Sequence, residues 1–128
     1  MKVKAGIVYN ALDVINEISE KPMKVSLVAK LLRLSDELEK ENRLIEKQRK
    51  EILQKYGKKD ENGQLIISED GNISFENEEF EKVQNELYEL SELEIEITDR
   101  EITQEELENS NLELTISQFA TLNNFIHK

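Results

Sequence analysis

The chain of 128 residues contains no cysteine, no tryptophan and only one proline and one histidine. Without cysteine there can be no disulfide, no thiolate nucleophile and no cysteine-ligated zinc or iron–sulfur site. No apolar run approaches the roughly 20 residues that a membrane-spanning helix needs, and the N-terminal residues lack the apolar centre of a signal peptide. We therefore expect a cytoplasmic protein without contact to a membrane.

The residue types suited to catalysis or ligand binding do not occur in a usable arrangement. The single histidine, His127, is the penultimate residue, where we expect the chain to fray. The acidic turns at Gly63 and Gly71 fail the calcium-loop pattern, because Lys58 or Ile66 would occupy its first position. The glycines are isolated from one another, so no phosphate-binding loop is formed. We expect no enzymatic activity, no metal and no cofactor.

What the sequence has in excess is charge, and the two signs are separated along the chain. Lys and Arg number 17 against 28 Asp and Glu, which gives a net charge of -11. Residues 1–59 carry a net charge of +5 and residues 60–128 a net charge of -16. This division indicates either an acidic segment that binds a basic partner or two elements of one fold that attract each other.

Hydrophobic periodicity predicts two helices in the first half of the chain. An amphipathic helix over residues 7–20 ends before Pro22, which cannot continue a helix. A long helix over residues 27–56 has Ser26 as its N-cap and ends at Gly57, which we expect in the left-handed conformation. Its seam has coiled-coil-like spacing with two polar positions: Leu31, Leu34, Leu38, Glu41, Ile45, Gln48 and Ile52.

A β-hairpin is predicted over residues 64–75. Its strands flank a two-residue turn at Asp70 and Gly71, a pair typical of hairpins. Because an isolated hairpin is only marginally stable in water, its apolar face should pack against another surface. In the predicted register that face carries three residues: Ile66, Ile73 and Phe75.

A returning helix is predicted over residues 77–92. It repeats the apolar spacing of the long helix, and an antiparallel arrangement pairs Tyr56 with Phe80 and Ile45 with Leu90. The long helix is rich in Lys and Arg while the returning helix is rich in Glu. Opposite charges therefore favour the antiparallel register over the pairing of like helices.

Residues 93–128 are predicted to form a small region of strands and helices. Two alternating segments, 93–98 and 112–116, are expected to be strands that pair with each other. Thr103 is expected to cap a helical turn between them, and Ser117 to cap a last helix. The predicted fold class is thus α+β, mainly α: one domain with a long antiparallel helical hairpin tipped by a β-hairpin.

The order of these elements resembles that of small acidic proteins encoded by tailed phages of Gram-positive bacteria. The resemblance covers residues 7–100 and is carried by the long helix, the turn from Tyr56 to Gly63, the Asp70-Gly71-Asn72 turn and the acidic returning helix. It implies an accessory protein in the cytoplasm of the host cell. The helix, β-hairpin, helix order is also similar to that of prefoldin-type subunits, which implies the same helical hairpin.

The negative charge has two interpretations. Between Glu76 and Glu113 there are 15 acidic residues and only two basic ones. In the first, these residues keep the helix surfaces hydrated and balance the positive charge of the basic segment. In the second, they form a face that mimics nucleic acid and occupies the basic groove of another protein. We expect a protein that binds, and inhibits or redirects, a host, defence or phage protein, without direct binding of nucleic acid.

The residues expected to contact that partner come from the hairpin face and the acidic helix: Ile66, Ile73, Phe75, Glu78, Glu81, Glu89 and Glu92. The alternative function is that of a virion or assembly component, structural or chaperone-like, which acts through homo-oligomerisation. The sequence does not show whether the polar seam positions of the long helix mark an interface between copies, so both functions remain open.

Overall fold

The computed structural model describes residues 2–99 and 101–127. The described part is mainly helical, with a two-stranded antiparallel sheet and a long helix, so the α+β, mainly-α class is confirmed at this level. The elements in chain order are β1 (Lys2–Lys4), α1 (Ala5–Ile18), α2 (Val25–Tyr56), α3 (Asn77–Glu92), β2 (Glu94–Glu96), α4 (Gln104–Glu108), α5 (Ile116–Leu122) and a 3-10 turn (Asn123–Phe125).

Contacts within the chain cluster in two compact units. Unit 1 consists of Met1–Arg43 and Glu94–Lys128, and unit 2 of Leu44–Leu93. The long helix α2 contributes residues to both units. If the two units form the single predicted domain, they unfold in one cooperative transition; two independent domains unfold in two.

The three long helices occupy the predicted parts of the chain as α1, α2 and α3. The start of α2 differs from the prediction, because the N–H of Val28 already donates to the carbonyl of Lys24 at 3.0 Å. α2 therefore begins at Val25, and Ser26 lies within its first turn. The prediction that Ser26 is the N-cap is wrong.

The sheet in unit 1 pairs β1 with β2 in antiparallel register. Val3 is 5% exposed and lies opposite Ile95, and on either side of this pair a lysine lies opposite a glutamate. Opposite charges directly across a ladder favour that register. The predicted pairing of residues 93–98 with residues 112–116 is wrong, because residues 112–115 form no strand and Ile116 is the first residue of α5, which Thr115 caps.

Side-chain caps begin the two C-terminal helices. The hydroxyl of Thr103 accepts the N–H of Glu106 at 3.2 Å and caps α4, as predicted. At the start of α5, Thr115 and Gln118 form a reciprocal capping box, in which each side chain bonds the backbone of the other. The prediction of Ser117 as this cap is wrong, since the capping box places it inside the helix.

Residues 125–127 are held in place by packing and by a backbone hydrogen bond. The N–H of His127 donates to the carbonyl of Ile102 at 2.7 Å, and His127 forms a parallel bridge with Thr103. The preceding Phe125 and Ile126 are 1% and 4% exposed. The expectation that the chain frays at His127 is therefore wrong, because the buried neighbours fix its backbone.

The core of unit 1 is closely packed. One side of α2 buries Leu31 and Leu34 against residues that follow β2. The cavity left between them has a volume of only about 10 Å³, too small for a ligand. The other residues that line it are Ile102, Leu107, Leu122, Phe125 and Ile126.

Glu37 connects α2 to the segment after β2. Its carboxylate accepts the N–H of Thr98 at 2.6 Å, the hydroxyl of Thr98 at 2.9 Å and the N–H of Asp99 at 2.9 Å. Burial acts to raise the pKa of Glu37, but these hydrogen bonds and the charge of Lys40 lower it below its ordinary value. The ionised carboxylate thus fixes the course of the chain after β2.

An ion pair connects α2 to α4 in the same unit. The ammonium of Lys30 lies 2.5 Å from the carboxylate of Glu106. The hydrogen bond from Lys30 lowers the pKa of Glu106, with burial acting in the opposite direction and the bonds to Thr103 adding to the decrease. α4 is therefore held both by its N-cap and by this pair.

Candidate protein-binding surfaces

The segment between α2 and α3 is held by a closed ring of three backbone hydrogen bonds. The N–H of Lys58 donates to the carbonyl of Ser74 at 2.8 Å, that of Ser74 to Ile66 at 3.4 Å, and that of Ile66 to Lys58 at 2.9 Å. Three extended segments therefore meet here, whereas two were predicted. We refer to residues 57–75 as the tip.

The register of the tip differs from the predicted one. Ile73 is bridged to Ile67, whereas the predicted register places Ser68 opposite Ile73 and Ile66 opposite Phe75. The loop spans residues 69–71 in place of a two-residue turn. Within that loop only Gly71 has a positive φ, of +81°. A shift of one residue turns a side chain to the other face of a ladder. The predicted common face of Ile66, Ile73 and Phe75 is therefore wrong for Ile66, whereas Ile73 and Phe75, two residues apart on one extended segment, stay on the same side.

Exposure separates these residues as well. Ile73 and Phe75 are half-buried, and the ring centroid of Phe75 lies 6.2 Å from that of Phe80. Ile66 is 42% exposed and Ile67 59% exposed. Ile67 was not among the predicted contact residues. The consecutive apolar residues at this point indicate that apolar and polar residues do not alternate strictly here.

Gly57 provides the space in which the tip closes onto the end of α2. A Cβ atom at this position would lie 2.5 Å from Cδ2 of Leu65, 2.9 Å from the carbonyl oxygen of Leu53 and 3.0 Å from Cγ2 of Ile73. The φ angle of Gly57 is not positive. The predicted left-handed conformation is therefore wrong, and glycine is required because no side chain fits.

Side chains of α2 and α3 meet within unit 2. The hydroxyl of Tyr56 donates to Glu86 at 2.9 Å, and Nζ of Lys55 lies 3.4 Å from the same carboxylate. The hydrogen bonds with Tyr56 and Glu86 raise the pKa of Lys55 above its ordinary value. Tyr56 is predicted to pair with Phe80, and its hydroxyl binds Glu86, six residues further along α3.

α3 also has glutamates whose side chains have no partner in the described part of the chain. The carboxylates of Glu78, Glu81 and Glu89 are exposed and form no hydrogen bond or ion pair with any residue of 2–99 and 101–127. Tyr88 lies among them and is 66% exposed. We call Glu78, Glu81, Tyr88 and Glu89 the acidic face of α3. Glu92, also expected as a contact residue, is half-buried and has interactions within the chain.

Pairing inside unit 2 therefore accounts for only part of the negative charge on α3. Glu86 pairs with Lys55, and Glu79 lies 3.6 Å from Lys82 on the same helix. The three unpaired glutamates were predicted as contact residues because they belong to the acidic returning helix, whereas Tyr88 was not predicted. An exposed tyrosine at helical spacing from them was the available signal.

A groove lies beside the acidic face, between α2 and α3 of unit 2. It has a volume of about 460 Å³ and is open to solvent. Glu89 belongs both to this groove and to the acidic face. The other residues that line the groove are Gln48, Glu51, Ile52, Lys55, Glu86, Leu90 and Leu93.

Comparison of the chain with models of protein families, with curated proteins and with solved structures gives no match. Within residues 2–99 and 101–127, no group of three or more His, Cys, Asp or Glu side chains is placed to hold a metal ion. None of the helices in this described part has the length and apolar character to cross a membrane. The acidic face, the exposed part of the tip and the groove are thus the candidate sites.

Proposed function

We propose that this protein acts by binding a basic surface of another protein, and that it has no enzymatic activity of its own. The partner would be a host, defence or phage protein in the cytoplasm of an infected bacterial cell, the setting implied by the resemblance to phage proteins. The observation that carries the proposal is the acidic face of α3, where Glu78, Glu81 and Glu89 are exposed and unpaired.

The composition of this face suits a protein partner. Unpaired carboxylates attract a basic surface and increase the rate of encounter. Tyr88 adds an exposed, large amphipathic side chain, a type that supplies much of the binding energy at protein interfaces. Its ring can also form a cation–π interaction with an arginine side chain of the partner. Charge would thus guide the association, while the tyrosine holds the complex.

The spacing of the carboxylates limits how closely the face mimics nucleic acid. From Glu78 to Glu89 the helix rises about 16 Å, and along its axis Glu81 lies about 4.5 Å from Glu78 and about 12 Å from Glu89. One strand of B-DNA has a phosphate about every 3.4 Å. We therefore propose that the face occupies part of a basic, nucleic-acid-binding groove and depends on Tyr88 for the rest of its affinity.

The proposal includes a rigid support for the face, in which α2 and α3 form an antiparallel hairpin. This arrangement is supported by the contacts of Tyr56 and Lys55 with Glu86. A helix held in this way keeps its exposed side chains in one orientation, which lowers the entropy lost on binding.

Affinity capture from nuclease-treated host lysate, with and without phage infection, tests this function. The variant Glu81→Lys, Tyr88→Ala, Glu89→Lys removes the face, and Glu61→Lys with Glu69→Lys makes the same change of charge on the exposed tip. We expect the wild type and the tip variant to retain a nucleic-acid-binding protein that salt releases, and the face variant to lose it. Equal recovery by all three proteins would contradict the proposal.

A further inference from the structure

The groove between α2 and α3 has an apolar floor and unpaired acidic side chains on both sides. Along the floor Leu90 is buried and Ile52 is half-buried, whereas Leu93 is 48% exposed. Glu51 on α2 and Glu89 on α3 form no hydrogen bond or ion pair with other described residues. The groove therefore suits a helix that has an apolar side chain next to a basic one.

Such a pair of side chains occurs on α2 itself, one helical turn before the groove. Leu44 is 58% exposed, and Lys47 is exposed and has no partner in the described part of the chain. Leu44, Gln48 and Glu51 lie on one side of the helix, because Gln48 and Glu51 follow Leu44 by four and seven residues. One copy cannot place its own Leu44 in its own groove, but a second copy can.

We propose that the chain forms an antiparallel dimer in which each copy inserts Leu44 into the groove of the other. Leu44 and Ile52 each lie four residues from Gln48, about 6 Å along the helix. A twofold axis at Gln48 therefore places Leu44 of each copy opposite Ile52 of the other. Lys47 then lies about 3 Å along the axis from Glu51 of the second copy, within reach of an ion pair.

Gln48 has a specific part in this arrangement. Its two copies meet at the axis, where their amides can hydrogen-bond each other, and a polar residue in such a seam fixes register at the expense of stability. The interface is closed by its twofold symmetry, so that association stops at two copies and does not continue into a filament.

A single introduced cysteine tests the position of the axis, because the chain has no cysteine of its own. Gln48→Cys is expected to form a disulfide-linked dimer under mild oxidation, since residues at the axis bring their Cα atoms within the roughly 7 Å that a disulfide requires. Lys50→Cys lies on the opposite side of α2 and is the matched control. Cross-linking of Lys50→Cys as fast as that of Gln48→Cys would overturn the proposal.

Sedimentation equilibrium tests the interface without a cross-link. Leu44→Glu is expected to raise the dimer dissociation constant at least about tenfold, whereas Leu32→Glu, at a residue 60% exposed in unit 1, leaves it unchanged. Lys47→Glu and Glu51→Lys should each weaken the dimer, and their combination should restore it. A wild type that stays monomeric at every concentration, or an equal effect of Leu32→Glu, would refute the dimer.

The dimer and the proposed function are tested separately. Leu44→Glu does not change the acidic face of α3, so partner capture is expected to persist in this variant although it has lost the dimer. Circular dichroism of each variant verifies that its helices remain folded.

Discussion

Replacing Gly57 with alanine tests whether close packing is the reason for glycine at the end of α2. Because φ is not positive here, the backbone alone would favour alanine, by up to about 1 kcal/mol in a helix. The added Cβ would lie 2.9 Å from the carbonyl oxygen of Leu53 and 2.5 Å from Cδ2 of Leu65. The two effects have opposite signs, so the sign of the measured change decides between them.

The steric effect is expected to be the larger. The Leu65 side chain can rotate, but the carbonyl of Leu53 accepts the N–H of Gly57 at 2.9 Å and moves only if that hydrogen bond is weakened. Overpacking costs about 1–3 kcal/mol, and a lost hydrogen bond about 1 kcal/mol more. After the gain in helix propensity is subtracted, we expect Gly57→Ala to destabilise the tip by about 2 kcal/mol.

Amide hydrogen exchange is the suitable assay, because the ring of hydrogen bonds at Lys58, Ile66 and Ser74 reports on opening of the tip. A loss of about 2 kcal/mol corresponds to roughly 30-fold faster exchange at these amides. As a control, Gly63→Ala places a Cβ with no atom within 4 Å, at a φ of +78°, and costs about 1–2 kcal/mol through backbone conformation alone. Unchanged or slower exchange in Gly57→Ala would refute the packing argument.

Three further substitutions test contacts in the two units. Glu37→Gln is expected to cost about 1 kcal/mol at neutral pH, since it weakens the hydrogen bonds that the carboxylate accepts. Because folding lowers the pKa of Glu37, the carboxylate contributes its full stabilisation above its ordinary pKa, and this stabilisation is lost as the pH falls through the pKa of the folded state. Urea unfolding curves of Glu37→Gln and wild type should therefore converge in acid. A difference in stability that stays constant with pH would contradict this. Thr115→Ala removes the capping box of α5 and should lower thermal stability by about 1 kcal/mol, whereas Thr115→Ser should remain close to wild type. Tyr56→Phe removes the hydroxyl that donates to Glu86 and should lower the stability of unit 2 by about 1 kcal/mol; an unchanged urea midpoint would argue against this bond.

The long helices could be predicted because each carries its signal within itself. α2 shows regular apolar spacing without an internal glycine or proline, and α3 repeats the spacing with acidic residues in its first turn. The cap at Thr103 followed in the same way from its spacing to Glu106. The glutamates of the acidic face were predicted from the acidic composition of α3, whereas the exposure of Tyr88 had to be observed.

The tip and the sheet could not be predicted to the same level. Asp70 and Gly71 indicate a turn, but a loop with one more residue shifts the register, and with it the face on which Ile66 lies. β1 has three residues, too few for a periodic pattern, so β2 had no recognisable partner in the sequence. Apolar and polar residues alternate over residues 112–116, and this pattern led to the prediction of a strand. Such a pattern does not show which other segment the strand would pair with.

The long helices and the cap of α4 follow from the sequence alone, because they depend on residues within about one helical turn of each other; the separation of charge is a property of the sequence itself. Three features require the folded chain: the pairing of β2 with β1, the anchoring of His127 at Ile102 and the lack of room for a side chain at Gly57. Each of these depends on which distant segments come into contact. That choice follows from the packing of the whole unit, which no local stretch of sequence specifies.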